Sequence, residues 1–523
     1  MTHPIAGAHH PPGRAQDDAV LEGLTPEQAQ AVQHGPGPLL LIAGPGAGKT
    51  KTLIHRIARL LHTGVARPSE ILAVTFSVRA AGELRLRLAD LLGEQVARGV
   101  TTATFHSICA RMLREHAGVF GRTEDYTVYD QTDVRRVIEW LLCDHQRGQI
   151  QRALANCGQP PAGDVLAEIS LAKNRLLTPD GYERSARHAA APLIATVWRE
   201  LEVELERSNA WEFDGLLTFA VRLLAAHPHR LAFYRQRWRW LVVDEFQDTN
   251  EAQSTLVALL AGPAGNVCCV GDADQQLYSW RGAQPRNILC FGERFPAHTR
   301  IVLGRNFRSR AEILDAAVAC VSHNEQREPK ALIAIRGAGG HVSVHAFCTD
   351  RDEAQAVAAT IADALADGTP AGEMLILART GYATGLVQAA LAQAGVAHRV
   401  LGSLGLYERA EVKDALAYLA LLANPADAQA FRRAIGSPRR GVGVAAAGRL
   451  VALARDGHDG DLIAAAAHAG KLEAVRSQAA RARLVRFGEG LARVQAQLRA
   501  GRSLGHVVVA AMMLDGGLVA HHQ

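Results

Sequence analysis

The chain has 523 residues, 48% of them apolar, a net charge of +5 and eight cysteines. That length exceeds what one core supports and predicts two to four domains. No apolar run approaches the roughly eighteen residues of a membrane-spanning helix. The mild positive charge permits a nucleic-acid partner without demanding one, and the lack of any Cys-x-x-Cys spacing argues against a zinc or iron–sulfur site and for a reducing, cytoplasmic setting.

In chain order, residues 1–20 hold Pro, Gly and His without an apolar signal core and read as a disordered tail. "PLLLIA", "EILAVTF", "TTATF", "RWLVVDEF", "NVCCVGD" and "TRIVLG" read as strands. Their continuous apolarity, in place of alternation, predicts a parallel sheet covered on both faces. Residues 117–209 lose the strand signal and read as a helical insertion, so the first α/β domain is expected over 21–116 and 210–298. A second, incomplete α/β domain is expected over 299–401, with "HVSVHAF" and "EMLILART" as strands, followed by a helical accessory domain over 402–523. No short-period repeat is present. The fold class is α/β, with phosphate-loop parallel-sheet domains interrupted by helical subdomains.

Three stretches carry chemistry. In "AGPGAGKT", the small residues Ala43, Gly44, Pro45, Gly46, Ala47 and Gly48 let backbone N–H groups turn inward around a β-phosphate, with a helix N-terminus aimed at the same anion. Lys49 would reach the β- and γ-phosphates, and the Thr50 hydroxyl would ligate Mg²⁺. In "RWLVVDEFQDT", an apolar strand ends on two carboxylates. Asp244 would hold Mg²⁺ and Glu245 would polarise the attacking water, as ATP hydrolysis requires. In "VGDADQQLYSWRGA", Gln275 follows a strand and could sense the γ-phosphate. Tyr278, Trp280 and Arg281 in the same loop offer a platform on which bases stack.

The order "LTPEQAQAV", "AGPGAGKT", "AVTFSVRAAGEL", "TATFHSICARML", "FDGLL", "LVVDEFQDTNEAQ", "VGDADQQLYSWRGA" and "GRNFRS" resembles the UvrD/PcrA/Rep branch of superfamily 1 DNA helicases, from about Leu24 to Gly443. The resemblance implies ATP and Mg²⁺ as cofactors, and single-stranded DNA with duplex junctions as the partner. It implies that Gln28 reads the adenine edge, that Phe307 stacks on adenine in place of the more usual Tyr, and that Arg308 touches the γ-phosphate. Phe76 would pack on a DNA base. Val78 stands where the family has a hydrogen-bonding Asn. His106 would lie near DNA, or else be a satisfied core histidine. "SPRRGVG" resembles a turn that grips duplex backbone through the amides of Gly441 to Gly443 with Arg439 and Arg440, or else is an ordinary helix-to-helix turn. "ISLAKNRLLTP" resembles a family landmark of no assigned chemistry.

After Gly443 neither the family's His-x-x-Lys-Gly-type motif nor its second arginine finger occurs. The expectation is therefore a C-terminally truncated member, or one completed by a protein partner that supplies the missing motor elements. Two functions compete: an ATP-dependent helicase moving 3′ to 5′ on single-stranded DNA in repair or replication restart, and an ATP- and DNA-binding remnant without unwinding activity. A helicase–nuclease subunit ranks lower, because no nuclease motif is present.

Overall fold

The computed structural model describes residues 20–143, 147–263, 265–279, 282–325, 327–401, 406–471, 473, 475, 477–501, 505, 509, 513 and 517–522. Residues 1–19 of the expected tail, Trp280 and Arg281 lie outside them, while Val20, the last residue of that expected tail, is buried.

Six strands form one parallel sheet: β1 (Leu39–Ala43), β2 (Ile71–Thr75), β3 (Thr101–Thr104), β6 (Trp240–Val243), β7 (Val267–Gly271) and β8 (Thr299–Leu303). Their spatial order is β3-β2-β6-β7-β1-β8. All six are the runs read as strands. Every residue of β1, β2, β6 and β7 is buried, so both sheet faces are covered and the runs cannot alternate. One apolar layer gathers around Phe105, Met112, Trp211, Phe246 and Phe291. The opposite layer gathers around Leu53, Ile57 and Leu88.

Two details depart from the sequence expectation. Strand β8 pairs with β1, Leu41 opposite Ile301, so the first sheet includes a strand assigned above to the second half. The region read as purely helical contains β4 (Thr127–Tyr129), which pairs in parallel with β5 (Ala210–Glu212). The helices between them have their own core around Ile138, Trp198 and Leu201.

The second half is less consolidated. The two-residue strand β9 (Arg305–Asn306) pairs with β10 (Ile333–Ala334). Residues 341–347 and 374–378, expected as strands, belong to no ladder. Val344 is 93% exposed and Leu377 is 86% exposed. A β-strand is stable only beside a neighbour, and these stretches have none among the described residues. The helices Asp350–Ala366 and Gly381–Gln393 pack on each other through a small cluster that includes Ala354, Ala358 and Leu391.

Helices from Ala410 onward form a further core around Phe431, Leu450, Leu484 and Phe487. This unit is fastened to the 117–209 insertion by polar contacts. The Tyr129 hydroxyl donates to Asp427 Oδ1 at 2.7 Å. Asn424 Nδ2 donates to Thr127 Oγ1 and to the carbonyls of Ser208 and Asn209. Lys413 pairs with Asp130 and Arg455 with Glu204.

Candidate nucleotide and nucleic-acid site

Strand β1 delivers the chain into the loop Gly44–Gly48, and the helix Lys49–His62 starts directly after it. Gly46 and Gly48 have φ of +65° and +77°, a backbone region that L side chains avoid. Space is closed too. A Cβ on Gly46 would stand 2.5 Å from the Arg308 Cβ, and one on Gly48 would stand 2.6 Å from Gln28 Nε2. Only glycine fits either position.

Around that loop the expected phosphate ligands converge. Lys49 Nζ donates to Glu245 Oε2 at 2.8 Å and lies 3.5 Å from Gln275 Oε1. Glu245 stands at the end of β6 with φ +50°, a strained value for a residue with a side chain. Its Oε2 also accepts from Gln247 Nε2 at 2.8 Å. Gln247 Oε1 in turn accepts from the Asp272 amide, so the strand ends of β6 and β7 are tied together. Burial, then the Glu245 charge, pushes the Asp244 carboxyl up to about 6. Such a carboxylate lacks a full countercharge. Its oxygens, like the Thr50 hydroxyl at the start of the helix, are of the hard type that would suit Mg²⁺.

The second half contributes through "GRNFRS". The Phe307 amide donates to the Gly46 carbonyl at 3.0 Å, while its ring is exposed beside the loop. Arg308 is exposed, with its backbone N–H held by Asn306 Oδ1. Asn306, which sequence reasoning passed over, is fully buried. Its Nδ2 donates to the Pro45 carbonyl at 2.5 Å, and its Oδ1 accepts from the amides of Arg308 and Ser309. The signal was available: Asn is the residue whose short amide can donate and accept at once. Gln28 is buried at the same loop; Nε2 donates to the Ala47 carbonyl at 3.0 Å and Oε1 accepts from the Thr25 amide. Both ends of its amide are thus engaged in the loop and in the helix cap.

On the side of the sheet where β2 and β7 end, Phe76 stacks on Tyr278 with ring centroids 4.6 Å apart and 23° between planes. His106, at the start of the helix Phe105–Glu115, is half-buried and meets the exposed Phe213 ring at 5.1 Å. Val78 is exposed on the helix that Ser77 caps. Gly441 and Gly443 are exposed far along the chain, at the turn before the helix Val444–Gly457. One expectation there is corrected. Arg440 does not face solvent: it is buried, donating to the carbonyls of Ala434 and Pro438 and to the Tyr418 hydroxyl. Its guanidinium lies 4.4 Å from the centre of the Phe487 ring. The charge satisfies backbone carbonyls of the accessory core and is not offered to a phosphate.

A parallel sheet in which an inner strand, β1, runs into a glycine loop and a helix, with two carboxylates following a nearby strand, defines a P-loop nucleoside-triphosphatase fold. Residues 24–296 match the model of the UvrD/REP helicase N-terminal domain, and residues 301–458 match that of the UvrD-like helicase C-terminal domain. The chain belongs to the UvrD/REP helicase family. It is 38% identical over 439 residues to the ATP-dependent DNA helicase PcrA of Leuconostoc citreum, covering 84% of this chain and 57% of that protein. To the ATP-dependent DNA helicase UvrD1 of Mycobacterium bovis it is 38% identical over 450 residues, covering 83% and 56%. To PcrA of Staphylococcus aureus (strain Mu50) it is 36% identical over 426 residues, covering 82% and 57%. The chain thus spans somewhat over half the length of these relatives. Among the described residues no helix is long and apolar enough to cross a membrane.

Proposed function

We propose that this chain is an ATP-driven motor on DNA, an ATP-dependent helicase or translocase that moves 3′ to 5′ on single-stranded DNA in repair or replication restart in the cytoplasm. The observation that carries the reading is the convergence of Lys49, Glu245 and Gln275 with the Asn306–Arg308 segment on one glycine loop. Lys49 and Arg308 would neutralise the terminal phosphate from two sides. Glu245 would orient the attacking water, and Gln275 would register whether the γ-phosphate is present. Thr50 and Asp244 would hold Mg²⁺, which supplies charge neutralisation for the γ-phosphate.

Gln275 and Tyr278 share one short loop, so a change at the phosphate end is positioned to reach the Phe76–Tyr278 stack within a few residues. That is the link between hydrolysis and base stepping. The domain organisation supporting it is two α/β halves, roughly 21–116 with 210–303 and 304–401, and two helical subdomains, 117–209 and 402–523. Single-stranded DNA and duplex junctions are the proposed partners, with His106 and the turn at Gly441 and Gly443 as further contacts.

A second reading, an ATP- and DNA-binding protein that does not unwind, is favoured by the bare stretches 341–347 and 374–378, since a motor needs a rigid second half. A further protein chain that completes this half would reconcile the two. ATP turnover measured with and without single-stranded DNA, followed by strand separation on a tailed duplex, decides among these readings. Stimulation by DNA supports the motor; tight binding of both ligands without turnover supports the second reading.

A further inference from the structure

A buried ionic cluster lies behind Gln275, and the preceding roles leave it without a purpose. Lys330 Nζ stands 2.5 Å from Asp272 Oδ1 and 2.5 Å from Asp274 Oδ2, with side-chain exposures of 2%, 0% and 5%. Arg327 adds a contact of 3.0 Å to Asp274 Oδ2. The two aspartates lie in the turn that directly follows β7 of the first sheet. The two cations belong to the stretch just before β10, which is paired with the Arg305–Asn306 strand. The cluster therefore bridges the two halves of the chain.

Asp272 faces both ways. Its Oδ1 takes Lys330, and its Oδ2 accepts from Gln275 Nε2 at 2.6 Å. Gln275 Oε1 is thereby turned toward Lys49. Stability alone is a poor explanation for such a cluster. Desolvating two ion pairs costs about what their attraction returns, and Asp274 Oδ1 and Arg327 Nε have no hydrogen-bond partner among the described residues. An arrangement with unused donors and acceptors is one that can be re-made when the halves shift.

We propose that Lys330 is a positioning residue for the hydrolytic site: by holding Asp272 it sets the direction of the Gln275 amide, and so makes γ-phosphate sensing depend on where the second half sits. This rests on the motor reading given above. When the segment carrying Lys330 moves, Asp272 loses its cation and releases the Gln275 amide. Removing the cation permanently leaves Asp272 with the Asp274 amide but without its countercharge, so that Gln275 is directed less firmly while the glycine loop, Lys49 and the nucleotide pocket keep their contacts. Lys330 thus affects turnover more than binding.

The test is a set of steady-state ATPase measurements on the full chain with saturating oligo(dT), beside binding of a fluorescent ATP analogue. Lys330→Met is expected to lower kcat at least tenfold while KM for ATP and analogue affinity stay within threefold. Lys330→Arg, which can still donate to both aspartates, is expected to keep kcat within threefold. In a Gln275→Ala background, Lys330→Met is expected to lower kcat no further, because its only route is through that amide. Multiplicative losses in the double variant, or an unchanged kcat in the single one, overturn the inference while leaving the motor reading intact. Absence of DNA-stimulated turnover in the unmodified chain overturns both. Should Lys330→Met fail to fold, Lys330→Gln is read by the same criteria.

Discussion

Lys49 and Glu245 form an ion pair at 2.8 Å, so the cation expected to meet a triphosphate is already matched with the carboxylate expected to activate water. The pair keeps both groups near the glycine loop and prevents either from being left as a lone charge. A nucleotide that took over Lys49 would free Glu245 for the water-orienting role proposed for it.

Lys49→Ala therefore removes phosphate neutralisation and the partner of Glu245 together. Turnover is expected to fall at least about a hundredfold, ~3 kcal/mol of transition-state stabilisation. A phosphate-release assay checks this; unchanged turnover removes the loop from the chemistry.

Phe76→Ala and Tyr278→Ala each delete one ring of the stack. Base stacking on such rings is worth about 1–3 kcal/mol, so affinity for oligo(dT) is expected to drop roughly 5- to 150-fold. Fluorescence anisotropy reads it. The same titration repeated across salt concentrations should show affinity falling steeply as counterions are released. A flat salt response, or losses below twofold in both variants, places DNA elsewhere.

Asn306→Ala leaves the Pro45 carbonyl and the amides of Arg308 and Ser309 without their buried partner. The loss is expected to cost about 1–3 kcal/mol in stability and to raise KM for ATP, because it loosens the loop at Gly46. Denaturant titration and ATPase kinetics together check it; a variant equal to the parent in both means the clamp is dispensable.

Asp133 gives a pH-dependent outcome. Burial, then the Asp130 and Asp427 charges, pushes its carboxyl up to about 6. The folded chain thus holds a proton between its ordinary value near 3.8 and about 6 that the unfolded chain has lost. This residue's contribution to stability therefore falls as pH rises through that window, and at neutral pH its ionised form destabilises. Asp133→Asn is expected to be more stable than the parent by on the order of 1 kcal/mol at pH 7.5, with the difference vanishing toward pH 4. Urea unfolding at both values measures it; a variant less stable at pH 7.5 reverses the argument.

The first sheet was readable because each of its strands is an apolar run flanked by turn residues, and burial on both faces forces that composition. The glycine loop and the paired carboxylates were readable for the same local reason. What escaped was non-local. β4 and β5 are only three residues long and lie eighty residues apart, so no window contains their pairing. Residues 341–347 have strand composition, but composition does not supply a neighbour. Arg440 looked like a phosphate grip because two adjacent arginines read as surface charge. Its actual partners, Tyr418 and the Ala434 carbonyl, come together only when the accessory helices pack. Asn306 and Lys330 were hidden likewise, since the partners of each lie across the two halves.

The placement of β1 has a consequence for biosynthesis. Leu39 pairs with Cys268 on one side and Thr299 on the other, so both neighbours of this inner strand emerge roughly 230 to 260 residues after it. At synthesis rates of about 5–20 residues per second, β1 waits on the order of ten to fifty seconds at the ribosome before its sheet can close. During that interval Leu39–Ala43, buried throughout in the finished fold, is an apolar segment without its mates. The nascent chain is thus most in need of chaperone cover early, well before the glycine loop that follows β1 can be seated.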